Sequence, residues 1–175
     1  MQNYPQYSSK QKWIHWLTLI LIVLTFLLVL FKVTLSHYLG GMFTIYLLHK
    51  SFGVLIFVIT LWRFTIIKTE GVPNVLPKNQ KLQRILSKSI QGFIYNFLII
   101  VPLSGYLMSS RSLNFFGIIS IPAIDMPNMF YDFFHIMHKF SPYLLAILLI
   151  LHIAGALYHY FWIKDKVLQS MLSRN

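Results

Sequence analysis

Histidines are the residues of this chain with the most chemical potential, and four of the seven occupy apolar surroundings. His15, His49, His138 and His152 each lie within a long run of hydrophobic residues. An imidazole in a membrane-spanning segment is costly to bury and usually functional, as a metal ligand or a proton carrier. We therefore expect these four side chains to carry the chemistry of the protein.

The spacing of the last two histidines places them on one helix face. His138 and His152 are fourteen residues apart, which in an α-helix means a rotation of about −40° and a rise of about 21 Å. Both imidazoles can then face the interior of a bundle, one in each half of a membrane. His135 is seventeen residues before His152, a rotation of about −100°, so it is the poorer partner.

Four apolar stretches are long enough to hold these histidines in a bilayer. A transmembrane helix needs roughly 20 apolar residues, and the candidate spans are approximately 13–33, 42–64, 89–108 and 135–162. Hydrophobic residues make up 57% of the chain and charged residues 11%, against about a quarter charged in soluble domains. The sequence predicts an all-α membrane protein, a single domain over residues 1–175 that forms a bundle of four transmembrane helices.

Two features of the later spans carry structural expectations. Pro102 in the third span and Pro142 in the fourth are expected to kink their helices. The connection between those spans, residues 109–129, is too apolar for a free loop. We expect it to fold over the outer end of the bundle.

The basic residues predict the orientation in the membrane. Lys and Arg concentrate on the cytoplasmic side of membrane proteins. Eleven of them lie in the N-terminus, the second connection with its flanks and the tail, whereas four lie on the other side. The eleven include Lys78, beside Pro77 in the second connection, and Arg174 in the tail. Both termini are therefore predicted to be cytoplasmic. The +11 net charge then reflects topology, and nucleic acid is excluded as a partner because no soluble basic face exists.

This topology places the histidines at two depths. His15 and His152 fall toward the cytoplasm, and His49 and His138 toward the outside. Two facing imidazoles at each level would fill both axial positions of a haem iron, which leaves no position for oxygen and favours electron transfer. The chain has no cysteine, so covalent haem attachment is excluded. The sequence predicts two non-covalent b haems with these four histidines as iron ligands.

Small and basic residues near the four ligands support haem binding. Gly53 follows His49 by four residues and Gly155 follows His152 by three, so each could let a porphyrin lie against its helix. Arg63 repeats the fourteen-residue offset from His49 and could meet the inner propionates. Lys50 and Lys139 directly follow the outer ligands. They could pair with the outer propionates and attract small anions.

His159 has several possible roles. It lies seven residues after His152, on roughly the same helix face. It could replace His152 as partner of His15, although His152 keeps the register with His138. It could instead donate a proton to a quinone near the cytoplasmic surface, with Lys164 or Lys166 assisting, or pair with a haem propionate.

Each feature also has a structural interpretation. One intramembrane histidine could be a hydrogen-bonded packing residue, the glycines could serve helix packing, and the basic residues could be interface anchors. Zinc would need four ligands at one point rather than two separate pairs. A haem-free transporter that uses histidines for protons is a further alternative, and the missing inverted repeat argues against it.

Four segments resemble the bacterial cytochrome b-561 family. They are "IHW" at 14–16, "LHKSFGVLIFVITLWR" at 48–63, "IYNFLIIVPLSGYLM" at 94–108 and "LHIAGALYHYFWIKDKVL" at 151–168. The resemblance implies a di-haem inner-membrane cytochrome with axial ligands at His15, His49, His138 and His152. It further implies electron exchange with ubiquinone and, for some members, oxidation of periplasmic superoxide. Many relatives have histidine where this chain has Gln91 and Tyr160, so a quinone or proton site could differ here.

We therefore expect a bacterial inner-membrane enzyme, a superoxide:ubiquinone oxidoreductase that passes electrons from the outer haem to the inner haem. The alternative is a haem b membrane anchor of a larger dehydrogenase or hydrogenase that exchanges electrons with quinone. The expected partners are membrane lipid, ubiquinone and superoxide. The sequence leaves open whether the protein forms a homodimer or binds an unknown redox partner.

Overall fold

The computed structural model describes residues 4–75 and 81–172. Pro77, Lys78 and Arg174, which entered the predicted second connection and orientation, lie outside the described residues. The helices are α1 (Ser9–Leu30), α2 (Lys32–Tyr38), α3 (Met42–Glu70), α4 (Lys81–Leu107), α5 (Asn128–Tyr158) and α6 (Val167–Leu172). A π-helical turn, His159–Ile163, continues α5. Two short strands, β1 (Leu113–Phe115) and β2 (Ile119–Ile121), lie between α4 and α5.

The prediction of four membrane-spanning helices is confirmed. The segments Ser9–Leu30, Met42–Glu70, Lys81–Leu107 and Asn128–Ile163 are each long and apolar enough to cross a bilayer. The last two begin earlier than the hydrophobic runs at 89 and 135, because residues 81–88 and 128–134 are helical as well. Both helices continue through Pro102 and Pro142, and the kinks stay a prediction.

The bundle is built from neighbouring antiparallel helices. α1 packs on α3, α3 on α4, and α4 on α5. Branched aliphatic side chains fill the space between them, and the buried members of this core are Ile14, Leu21, Ile22, Ile56, Ile59, Ile66, Leu98 and Leu145. Buried Thr18 and Thr60 donate to the carbonyls of Ile14 and Ile56 on their own helices, which satisfies their hydroxyls without a partner helix.

Hydrogen bonds join the start of α1 to the end of α3. Ser8 and Gln11 form a reciprocal capping box at the α1 N-terminus. The Gln11 amide also donates to the Gly71 carbonyl at 2.7 Å, and Lys10 pairs with Glu70 at 3.8 Å. α6 reaches the same end, since Trp16 Nε1 donates to Met171 O at 3.5 Å. The two termini of the described chain therefore lie at one end of the bundle.

The connection from α4 to α5 forms an antiparallel hairpin at the opposite end. β1 pairs with β2, and Phe115 is opposite Ile119. The turn has positive φ angles at Phe116 (48°) and Gly117 (74°), and the first is unusual for a bulky side chain. Phe116 is held on α3 because its N–H donates to Ser51 Oγ at 2.8 Å. This segment does fold over the end of the bundle that contains His49, with two strands that the all-α prediction lacked.

Candidate functional site

Two pairs of histidines face each other across the bundle. The ring centroids of His15 and His152 are 6.2 Å apart with an interplanar angle of 61°. Those of His49 and His138 are also 6.2 Å apart, with an angle of 77°. We call the first the inner pair and the second the outer pair, following the predicted orientation. The structure thus brings together the same partners that the spacing paired.

Both pairs bridge helices that do not pack closely. The inner pair joins α1 to α5 and the outer pair joins α3 to α5, whereas the close helix contacts are α1 with α3, α3 with α4, and α4 with α5. The histidine rings therefore meet across wider gaps between helices. Such gaps in a bundle are where flat cofactors bind.

A backbone carbonyl fixes the orientation of the His138 ring. Its Nδ1 lies 2.9 Å from the Val101 carbonyl oxygen on α4. A carbonyl only accepts hydrogen bonds, so the proton sits on Nδ1 and Nε2 is left with a free lone pair. Histidines that bind metals show this arrangement, in which the outer nitrogen donates to a carbonyl and the other coordinates.

Gly105 provides the room for that ring. A Cβ added at Gly105 would lie 2.7 Å from His138 Cε1 and 2.9 Å from Nδ1. Distances this short are repulsive, so a side chain at 105 would displace the imidazole. Ser104, buried beside it, has its hydroxyl 3.5 Å from the same Nδ1. The small residues of α4 therefore form a fitted seat for His138.

His49, the other member of the outer pair, has an unsatisfied nitrogen. Its Nδ1 is buried without a hydrogen-bond partner of normal geometry in the described residues, although it faces the backbone of Thr25 on α1. A buried polar atom without a partner is uncommon in a finished structure. The outer pair therefore contains a buried polar atom that the described residues do not satisfy.

The inner pair lies beside a cation. Arg63 reaches His15, with its guanidinium nitrogen 3.2 Å from His15 Nδ1, and its Cζ is 4.9 Å from the ring centre of Tyr95. Tyr7 lies within electrostatic reach of the same guanidinium; burial raises the pKa of Tyr7, and Arg63 opposes that shift in part. None of the four acidic residues, all within the described ranges, pairs with Arg63. A partly buried cation without a carboxylate is a ready partner for a bound anion.

His159 belongs to a separate group at the inner end. Its Nδ1 is 2.6 Å from the Asp165 carboxylate, and both side chains are largely buried, at 12% and 18% exposure. The π-helical turn and the left-handed backbone of Lys164 (φ 56°) bring Asp165 back toward His159. Lys164 and Lys166 are exposed. The structure therefore gives His159 a protein carboxylate as partner and pairs His15 with His152.

Comparison with known proteins matches nearly the whole chain to one family. The model of the prokaryotic cytochrome b561 family aligns with residues 6–174. The chain belongs to this family. A relative from Escherichia coli (strain K12), cytochrome b561 homolog 2, is 31% identical over 169 residues, which cover 92% of this chain and 88% of the relative. Membership in the b561 family together with the four spans identifies a multi-pass protein of the bacterial inner membrane that transfers electrons with haem b.

The geometry of both histidine pairs fits the haem iron that the b561 family uses. An imidazole nitrogen lies roughly 1.2 Å from its ring centroid and a metal–imidazole bond is about 2.0 Å, so rings on opposite sides of one metal ion have centroids about 6.4 Å apart. The two observed separations are 6.2 Å. The guanidinium of Arg63, which pairs with none of the four carboxylates of the chain, would fit a haem propionate.

The remaining predicted residues differ in their placement. A Cβ at Gly53 would touch Pro102 of α4 at 4.0 Å, whereas one at Gly155 would meet nothing within 4 Å. Gly53 thus packs against a helix and Gly155 borders open space. Lys50 lines a cavity under the hairpin together with Arg111. Lys139 is exposed, with its ammonium 5.7 Å from the ring centre of Phe140.

Sequence reasoning missed three residues that the structure places at these sites. Val101 and Gly105 orient and seat His138, and Asp165 holds His159. A weak signal existed for two of them: Gly105 is a glycine three residues after Pro102, and Asp165 is one of only four acids in the chain. Only the tertiary structure shows what these residues contact.

Proposed function

We propose that this cytochrome carries electrons through two bis-histidine b haems, from superoxide at the outer face to ubiquinone near the cytoplasmic face. The observation that carries the proposal is the equal 6.2 Å separation of two histidine pairs at the two ends of α5. The whole chain would act as a single membrane domain with both termini in the cytoplasm. Two superoxide ions each give one electron, and ubiquinone takes up two electrons and two protons.

The haem ligands in this proposal are His15 with His152, and His49 with His138. A bis-histidine b haem supplies reversible one-electron chemistry and keeps oxygen from binding iron. Each ligand imidazole would have to keep its proton on Nδ1 so that Nε2 can bind the iron. At His138 the Val101 carbonyl already does this. If His15 binds iron through Nε2, its Nδ1 must carry a proton. The guanidinium of Arg63 can only donate hydrogen bonds, so it could not stay on a protonated Nδ1. Arg63 would leave His15 and pair with a haem propionate.

The outer end would attract the anionic donor electrostatically. Lys50 follows His49 directly and lines one cavity with Arg111. Lys139 follows His138 and is exposed at the same level. A cationic mouth raises the local concentration of anions and their association rate, and salt weakens this effect. The two lysines could also pair with the outer propionates.

The inner end would supply protons to reduced ubiquinone. Because Asp165 accepts from His159 Nδ1, His159 Nε2 remains to exchange a proton with a substrate. Exposed Lys164 and Lys166 lie on either side of Asp165 in the chain and would assist by attracting the anionic form of the reduced quinone. The role of Asp165 here is to orient the imidazole.

Haem content per chain tests the ligand assignment. Pyridine-adduct and reduced-minus-oxidised spectra should give two haems in the intact protein and one in each of the variants His15→Ala, His49→Ala, His138→Ala and His152→Ala. His159→Ala should keep two, because His159 is paired with Asp165. A preparation without haem, or the loss of a haem in His159→Ala with retention in His152→Ala, would contradict the assignment.

Two further measurements test donor and acceptor. In stopped-flow mixing, superoxide should reduce the haem, and the rate should be lower at high salt. A ubiquinone analogue should then reoxidise the haem.

Purification under mild conditions tests the anchor alternative. A stoichiometric dehydrogenase or hydrogenase subunit that co-purifies would favour an anchor, whereas activity of the isolated chain supports the proposal.

A further inference from the structure

The hairpin and the first turns of α3 line an open cavity of about 360 Å³ at the end of the bundle that contains His49. Its lining consists of Phe43, Tyr46, Leu47, Lys50, Arg111, Ser112 and Asn114. The volume lies in the range of small-molecule binding sites, about 300–1,000 Å³. A diatomic ion such as superoxide needs little more than the roughly 30 Å³ of one water molecule. The cavity is therefore far larger than the proposed donor requires.

The sequence builds the two walls of the cavity by helix and strand periodicity. Phe43, Tyr46, Leu47 and Lys50 follow the i, i+3, i+4, i+7 spacing of one helix face. On the other wall Leu113 is buried, so Ser112 and Asn114, its neighbours on either side, point the opposite way. The Phe116 N–H donates a hydrogen bond to Ser51 Oγ. This bond anchors the hairpin on α3 and keeps the two walls of the cavity together.

The chemistry of the lining is divided. Two aromatic rings and a leucine come from α3, and two cations with a hydroxyl and an amide lie around them. None of the four acidic residues of the chain is among the lining residues. Lys50 is half-buried and Arg111 is exposed; two cations without a carboxylate favour an anion, and aromatic faces favour a flat apolar group.

We propose that this cavity binds a small organic monoanion with an aromatic ring, of the arenecarboxylate class, with its carboxylate on Lys50 and Arg111 and its ring against Phe43 and Tyr46. Such a ligand comes from the aqueous phase at the outer face. The binding does not depend on the proposed function.

Binding of benzoate to the haem-loaded full-length protein in phosphatidylcholine nanodiscs tests the inference. Benzoate is not oxidised under these conditions, so occupancy is measured apart from electron transfer. Titration calorimetry should detect benzoate, with at least tenfold weaker binding of benzyl alcohol, which lacks the charge, and of acetate, which lacks the ring. Equal affinity for all three, or no benzoate binding, would overturn the proposal.

Variants assign the binding to the cavity. Arg111→Gln should weaken benzoate binding at least tenfold, and Arg111→Lys, which keeps the charge, should restore most of it. Tyr46→Leu should weaken it several-fold. Lys32→Gln, a matched change of a lysine at the same end but outside the lining, should have no effect. An unchanged affinity in Arg111→Gln, with the haem spectrum intact, would place the ligand elsewhere and refute the site.

A lipid headgroup could offer the same negative charge. Nanodiscs with one third phosphatidylglycerol separate the two sources. Undiminished benzoate binding in them supports a soluble ligand, whereas its loss would assign the cavity to anionic lipid and overturn the inference. Failure of superoxide to reduce the haem would reject the proposed donor and leave benzoate binding unaffected, so the two proposals fail separately.

Discussion

The two histidine pairs have the same ring separation but very different surroundings. Around the outer pair, neutral groups do the positioning: His138 donates to the Val101 carbonyl and fits against Gly105. Around the inner pair, a guanidinium does it, since Arg63 contacts His15 and lies over Tyr95. One pair is held by shape and a backbone dipole, and the other by a charge.

This difference in surroundings would give haems at the two ends of the bundle different midpoint potentials. A positive charge stabilises the reduced and therefore less positive state of a nearby centre. Arg63 is partly buried and lies 3.2 Å from His15 Nδ1, so water screens its charge little. At the outer end Lys50 is also partly buried but does not hydrogen-bond to His49 Nδ1, and Lys139 and Arg111 are exposed, so salt screens their effect. We expect the inner centre to have the higher potential, which favours electron flow from the outer pair to the inner pair.

Removing a ligand from each pair in turn should have the largest effect. His49→Ala should leave only the inner haem and His15→Ala only the outer haem, because each variant breaks one pair. The two single-haem proteins should differ in midpoint potential and in their low-temperature spectra, which redox titration followed by absorbance measures.

His135→Ala is the matched control, since this histidine of α5 belongs to neither ring pair. It should retain both haems. Two single-haem variants with the same potential would contradict the contrast between the ends, and a loss of both haems in either variant would show that the pairs do not bind independently.

The next largest effect should come from Gly105→Ala. Its methyl group would lie 2.7 Å from His138 Cε1, and the ring cannot retreat without losing the Val101 carbonyl. Overpacking of this kind costs about 1–3 kcal/mol. We expect the content of the outer haem to fall by half or more, with the inner haem retained, and the melting temperature of the loaded protein to decrease.

Gly92→Ala is the control on the same helix. A Cβ there would meet nothing within 4 Å, and alanine is the better helix former by about 0.5–1 kcal/mol. Haem content should therefore be unchanged and stability equal or higher. An equal loss of haem in both glycine variants would mean that any substitution in α4 disturbs haem binding. Gly105 would then have no particular role in seating His138.

The seat of His138 also marks the limit of what the sequence predicts. The four spans and the two pairs follow from hydrophobic length and helical spacing, which are local properties along one helix. The seat at Gly105 and the bond to Val101 depend on how α4 docks on α5, which no pattern in either helix specifies. The hairpin was expected as a cover, but its strands are only three residues long and its turn has Phe116 at positive φ. That turn persists because Ser51, 65 positions earlier, accepts the Phe116 N–H.

Arg63→Gln should sharpen the comparison by making the inner pair more like the outer pair. We expect the midpoint potential of the inner centre to fall by about 30–60 mV, roughly 1 kcal/mol for a one-electron couple, and that of the outer centre to stay constant. Lys68→Gln removes an exposed charge five residues further along α3 and should shift neither. Equal shifts in both variants would mean that general surface charge, rather than the partly buried charge of Arg63, sets the inner potential.

The smallest effect should come from Asp165, whose carboxylate holds His159 at 2.6 Å and also accepts from the Val167 N–H at 3.0 Å. Asp165→Asn removes a charged hydrogen bond worth about 1.5–3 kcal/mol. Part of that is recovered by the amide, so we expect the ubiquinone reduction rate to fall about fivefold. Haem content and reduction by superoxide should not change, because both depend on the histidine pairs.

Asp165→Ser separates the two roles of this carboxylate. Serine can accept from the Val167 N–H two residues on, as aspartate does, but it is too short to hold His159. The ubiquinone rate should therefore fall in Asp165→Ser at least as much as in Asp165→Asn, with α6 intact by hydrogen exchange. If Asp165→Ser keeps the full rate while His159→Gln loses it, Asp165 serves only to end the π-helical turn and start α6. His159 would then act without a carboxylate that orients its ring. Arg63 alone would distinguish the surroundings of the inner pair from those of the outer pair.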